Sequence, residues 1–224
     1  MKLVYIISII KLILVGLTIK VSFITFKNKK LIGFYWIFGI IALLAFIQVF
    51  YSQLISPIFL KNQYINVHNQ IRDIYIIFEF FLLLIYFRKR ISLKKVQLVF
   101  SILIYFIVFI FLYFITQDKY FITNNYSSFA AFEAILMLTL STILFVEIIN
   151  NDDLISLYDS TDFVITCGIF FLFSFTCPIY ILNNYLEKVN FNLLSKISII
   201  TDIAYIAFFY SILKAIKCKI LTNK

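Results

Sequence analysis

Runs of about twenty apolar residues, rarely interrupted by a charge, recur along this chain and limit what it can fold into. The stretch IYIIFEFFLLLIYF (74–87) holds a single charged side chain, Glu79. A bilayer core about 30 Å thick takes about 20 apolar residues as helix. Backbone groups find no partners there outside a helix or a closed barrel. The runs are continuous rather than alternating with the two-residue period of a barrel strand, so the chain is expected to span a membrane as helices. Composition agrees: 63% of residues are hydrophobic and only 14% charged, against about 25% charged in soluble domains. Too few polar side chains remain to cover a water-facing surface.

Seven apolar segments can be drawn, at roughly 3–26, 31–55, 71–88, 96–117, 127–148, 162–182 and 196–214. The expected fold is an all-α, seven-helix integral membrane bundle forming one domain over residues 1–224. The connections are short and polar, as in KNKK (27–30), RKRISLKK (88–95) and NNDD (150–153). The longest, 53–70, contains Pro57 and the only histidine, His68, which is expected in an outer loop. The opening MKLVYIISIIKLILVGL begins as a signal peptide does. Lys11 interrupts it, however, and no small-residue cleavage site follows, so it is read as a retained first helix. Pro178 is expected to kink the sixth segment near its outer end.

Lysine and arginine in short loops set orientation, with the excess on the cytoplasmic side. One side collects Lys27, Lys29, Lys30, Arg88, Lys89, Arg90, Lys94, Lys95, Lys214, Lys217, Lys219 and Lys224, twelve in all. The other has six: Lys2, Lys61, Arg72, Lys119, Lys188 and Lys196. The N-terminus is therefore expected outside and the C-terminus in the cytoplasm. The loop at 150–161 is the misfit, because it carries three aspartates and no base. The net charge of +9 is explained as an orientation signal, and nucleic-acid binding would need a basic, water-facing domain.

A charge at the bilayer centre costs about 2.5–3.5 kcal/mol on insertion scales. Glu79, Glu133 and Asp202 nevertheless lie in the third, fifth and seventh segments, which all run in one direction. Each falls about six to eight residues in, roughly 9–12 Å deep at 1.5 Å per residue. Lys11 in the first segment has a similar depth. Four ionisable groups on four helices thus share one layer. Helical spacing adds Tyr75 to the face of Glu79 and Tyr205 to that of Asp202, and Gln48 approaches the same level from the second segment. The expectation is an outward-facing pocket for a small polar or cationic ligand, built from Glu79, Glu133, Asp202, Lys11, Tyr75, Tyr205 and Gln48. Such acids also serve simply as interhelical glue, pairing with Lys11 or with hydroxyls across helices.

Other signals are weaker. There is no HExxH, GxSxG or phosphate loop, and no metal or cofactor is expected from a lone histidine. Cys167 and Cys177 are ten residues apart on one segment, about 15 Å along a helix, too far for a disulfide. NNDDLISLYDSTD (150–162) invites comparison with the aspartate-rich magnesium motifs of intramembrane prenyltransferases, but the second acidic motif is absent. A retinal protein would need a lysine midway along the seventh segment. Lys196 and Lys214 lie at its ends instead.

The segment 74–87, an acid early in the fifth segment, CPIYIL (177–182) and IAYIAFFYSILKAIKC (203–218) together resemble small seven-helix proteins of bacteria associated with neighbouring histidine kinases. That group is itself uncharacterised. The resemblance implies a sensor-like role in a bacterial inner membrane and carries over no catalytic residue. A cytoplasmic signalling partner is then expected at Arg88, Lys89, Arg90, Lys94 and Lys95. A small cation- or proton-coupled transporter, or a non-catalytic scaffold subunit of a membrane complex, fits the same residues.

Overall fold

The computed structural model describes residues 2–27, 35–50, 64–92, 97–98, 100–102, 121–151, 160–189 and 191–222. Six long helices account for most of them: α1 (Lys2–Lys27), α2 (Tyr35–Phe50), α3 (Tyr64–Arg90), α4 (Phe121–Asn151), α5 (Thr161–Val189) and α6 (Phe191–Thr222). Residues 97–98 and 100–102 are also helical, and no strand occurs among the described residues. The protein is all-helical, as expected. Helices α1 to α3 correspond to the first three expected segments, and α4 to α6 to the fifth, sixth and seventh. Most of the expected fourth segment, 96–117, lies outside the described residues.

Three stretches are long and apolar enough to cross a membrane: Ser128–Asn150 in α4, Thr161–Asn183 in α5 and Ile199–Cys218 in α6. Helix α2 adds a shorter apolar stretch, Trp36–Phe50. On α2 the residues Trp36, Ile40, Leu43, Ile47 and Phe50 are exposed, while Ile37, Ile41, Ala45 and Val49 are buried. A soluble helix would put polar groups on the outward stripe. Here both faces are apolar, and the same holds on α1, where Ile6, Ile9, Ile13 and Leu17 face outward. An apolar exterior of this extent suits lipid rather than water.

Each helix packs on the next in chain order, α1 on α2, α2 on α3 and so on, and α6 returns to pack on α1. The described helices therefore form a closed ring, with α2 also touching α6. Phe38 of α2 joins these elements, its ring 5.2 Å from Tyr86 of α3 and 6.5 Å from Phe208 of α6. Helix α3 is the most enclosed, with Ile76, Phe80, Leu83, Leu84, Tyr86 and Phe87 all buried.

Small residues set the closest approaches, as in many membrane bundles. A Cβ on Gly39 of α2 would come 2.8 Å from Ser22 Cβ of α1. One on Gly168 of α5 would meet Ser211 of α6, with its Cβ at 2.9 Å. Threonine hydroxyls are satisfied locally. Thr18, Thr139, Thr142, Thr166 and Thr176 each donate to the carbonyl four residues back, at 2.7–3.0 Å, which lets a hydroxyl sit in apolar surroundings.

The helices outlast their apolar runs. The connection expected between the sixth and seventh segments is helical on both sides of Asn190. Asn183, Glu187 and Lys188 end the hydropathy signal without ending the backbone hydrogen bonding. Helix α3 likewise begins at Tyr64, so His68 lies in a helix rather than in a loop. Its polar start, YINVHNQIRD, has the composition of a connection. Helix α5 runs through Pro178 without a break.

Candidate functional site

Three helices bring the central polar groups together. Lys11 Nζ of α1 donates to Asp202 Oδ1 of α6 at 2.8 Å. The same ammonium lies 4.7 Å from the centre of the Tyr205 ring, one turn further along α6, close enough for a cation–π contact. The Tyr205 hydroxyl in turn donates to Glu79 Oε2 of α3 at 3.1 Å. Asp202 and Tyr205 are three residues apart, so one face of α6 presents both. Lys11, Asp202, Tyr205 and Glu79 form a continuous chain from the edge of the bundle to its middle.

Burial deepens along that chain. The Lys11 and Asp202 side chains keep 13% and 29% of their surface exposed, whereas Glu79 keeps 1% and Glu133 keeps 2%. The α3–α4 contact at this level is aromatic, with the Phe80 ring 5.9 Å from Phe129 and 6.5 Å from Phe132. Glu79 and Glu133 are the chain neighbours of Phe80 and Phe132, and the two carboxyl groups act electrostatically on one another. Each leaves its Oε1 buried without a hydrogen-bond partner.

Tyr75, one turn before Glu79, stands with its ring 6.3 Å from that of Tyr205. Its hydroxyl is near the Glu79 carboxyl but outside hydrogen-bond geometry. Tyr180 of α5 lies within electrostatic reach of both tyrosines. Helix counting brings it to the same level from the sixth segment, near that segment's outer end. Of the residues expected at the site, Lys11, Tyr75, Glu79, Glu133, Asp202 and Tyr205 are brought together. Gln48 is half-buried on α2, and no hydrogen bond or ion pair among the described residues ties it to the group.

Chemically this is two layers. The outer one is a satisfied ion pair under an aromatic ring. The inner one is a pair of carboxyl groups removed from water. Two carboxylates side by side in a low-dielectric interior repel each other, and each is costly to bury unpaired. A proton or a bound cation relieves both costs. Among the described residues no cluster of three or more metal-ligating side chains occurs.

A second polar cluster, which no sequence pattern predicts, ties α3 to its neighbours at the opposite end. Arg90 Nε of α3 meets Asp162 Oδ1 of α5 at 3.0 Å. The backbone N–H of Ser92 donates to Glu147 Oε2 of α4 at 2.9 Å. Asp162, at the start of α5, thus answers a base from the end of α3, while the three aspartates of the 150–161 loop lie outside the described residues. Lys94 and Lys95 lie outside the described residues.

Comparison with protein-family models, curated proteins and solved structures finds no match to this chain.

Proposed function

We propose that this chain is a non-enzymatic, receptor- or sensor-like protein of a bacterial inner membrane. It spans the bilayer seven times, with the N-terminus outside, and takes a small polar or cationic ligand at the Glu79–Glu133 layer. The observation that carries the reading is the carboxyl pair itself: two buried acids on different helices, each with a buried oxygen lacking a partner. Interhelical glue would be expected to end in satisfied hydrogen bonds, as the Lys11–Asp202 pair does. In this reading Lys11 and Asp202 close the layer, and binding is passed to a cytoplasmic protein through the basic stretch 88–95 and the C-terminal tail.

The test uses purified protein in neutral-lipid nanodiscs, titrated with sodium, potassium and choline while thermal unfolding is followed. A ligand at a hundred times its Kd stabilises by about 2.7 kcal/mol. The expected result is stabilisation of the wild type by one of the three cations, lost in Glu79→Gln and Glu133→Gln. Equal stabilisation of both variants removes the site.

The same pair also supports a cation- or proton-coupled transporter, since intramembrane acids serve as relays. Proteoliposomes separate the two readings. Substrate-linked proton movement abolished by Glu79→Gln would make the protein a carrier.

A further inference from the structure

At the basic end of the bundle, the last turn of α3 and the helical residues 97–98 and 100–101 border an open groove of about 720 Å³. Its walls are Ile85, Arg88, Lys89, Gln97, Leu98 and Ser101, and its size is in the range of small-ligand sites, about 300–1,000 Å³. One bond ties the second wall to the residue that follows α3, and another lies within that second wall. The Gln97 side-chain amide donates to the carbonyl of Ile91 at 2.8 Å, and Ser101 Oγ donates to the Gln97 carbonyl at 3.0 Å.

Its chemistry is divided by height. Arg88 and Lys89 are exposed at the mouth, while Ile85 and the outward-facing Leu98 and Ile102 continue away from them as apolar surface. Arg90 is directed to Asp162 and the nearby Glu147 receives the Ser92 N–H. Arg88 forms no ion pair among the described residues. The Arg88 guanidinium fork can grip a phosphate in a bidentate manner, and the Lys89 ammonium, which also interacts within the protein, adds positive charge beside it. The apolar flank gives that phosphate's hydrocarbon somewhere to lie.

We propose that this groove is a binding site for the phosphate of an anionic phospholipid, with Arg88 and Lys89 on the headgroup and Leu98 against the acyl chains. A free phosphate would use the cations and leave the apolar wall unused. The assignment does not depend on what occupies the Glu79–Glu133 layer. Basic pockets beside membrane helices hold anionic headgroups by this combination.

The experiment is native mass spectrometry of the full chain released from mixed vesicles of phosphatidylglycerol and phosphatidylcholine. Wild type is expected to retain phosphatidylglycerol selectively. The double variant Arg88→Gln, Lys89→Gln is expected to lose that retention by about 25-fold, from about fivefold for each charge. Lys214→Gln with Lys217→Gln removes the same charge from exposed positions near the end of α6 and should leave retention unchanged. Equal losses in both variants would mean diffuse attraction and overturn the site. Leu98→Asn separates the phosphate sources. Weaker lipid retention in this variant supports the phospholipid, whereas unchanged retention with displacement by millimolar inorganic phosphate assigns the groove to free phosphate and overturns the proposal. A variant that fails to fold is replaced by the single changes Arg88→Lys and Lys89→Gln, where loss of the fork alone should reduce selectivity.

Discussion

The Tyr205 hydroxyl donates to Glu79 Oε2 at 3.1 Å while its own ring lies 4.7 Å from the Lys11 ammonium. One side chain thereby links the outer ion pair to the buried acid, with its polar tip on one and its π face on the other. Lys11 also acts electrostatically on the Glu79 carboxyl, and Tyr205 stands in contact with both.

Replacing Tyr205 by Phe keeps the ring and removes only the donor. Interhelical hydrogen bonds in membrane proteins contribute about 0.6–1.7 kcal/mol. Tyr205→Phe should therefore lower the Tm by roughly 1–7 °C, at about 2–4 °C per kcal/mol for a chain of this size. In a double-mutant cycle with Glu79→Gln the two losses should not add. Additive losses would show that the bond contributes nothing.

The Lys11–Asp202 pair predicts a different pattern. Lys11→Met leaves an acid without its base, and Asp202→Asn leaves a base without its acid. Each single variant should be less stable than the double variant in detergent unfolding, because the unpaired charge costs more than the pair returns. A double variant less stable than both singles would contradict the pairing.

Gly168 tests the packing of α5 on α6. Gly168→Ala drives its new Cβ onto Ser211, and overpacking of this kind costs about 1–3 kcal/mol. Ser211→Gly in the same chain should recover most of the loss. Gly16, which has nothing within 4 Å of an added Cβ, should accept alanine with little change in Tm.

Orientation can be read with the native thiols. Cys177 is buried in α5, and Cys218 is half-exposed near the end of α6. A membrane-impermeant maleimide should label Cys218 in inside-out vesicles and not in intact spheroplasts. The reverse result would invert the topology, moving the Glu79 layer to the cytoplasmic half.

Much of this was legible in the sequence because intramembrane charges are few and helix direction alternates. Counting residues from each segment's start was enough to put Lys11, Glu79, Glu133 and Asp202 at one level, and four helices of the ring do bring them together. What such counting does not supply is angle. The count brings Gln48 toward the same level, but nothing in it says which way α2 turns the side chain. Helix ends were misjudged where polar residues continue a helix, as at Tyr64–Asp73 and around Asn183–Ser195, because hydropathy registers the edge of the hydrocarbon rather than the last hydrogen-bonded turn. The Arg90–Asp162 contact needed tertiary knowledge, since a base at the end of α3 and an acid at the start of α5 each have several possible partners.

The partner of Lys11 is Asp202, 191 positions later in the chain. At about 5–20 residues per second of synthesis, the lysine precedes its aspartate by roughly 10–40 s. In the seven-span arrangement the first helix must therefore enter the bilayer with an unmatched cation, held there by its apolar residues alone. Arrival of the last helix closes the ring and neutralises that charge in one event. A chain broken off before α6 keeps a bare ammonium within the membrane, a mark of incompleteness that a finished molecule does not show.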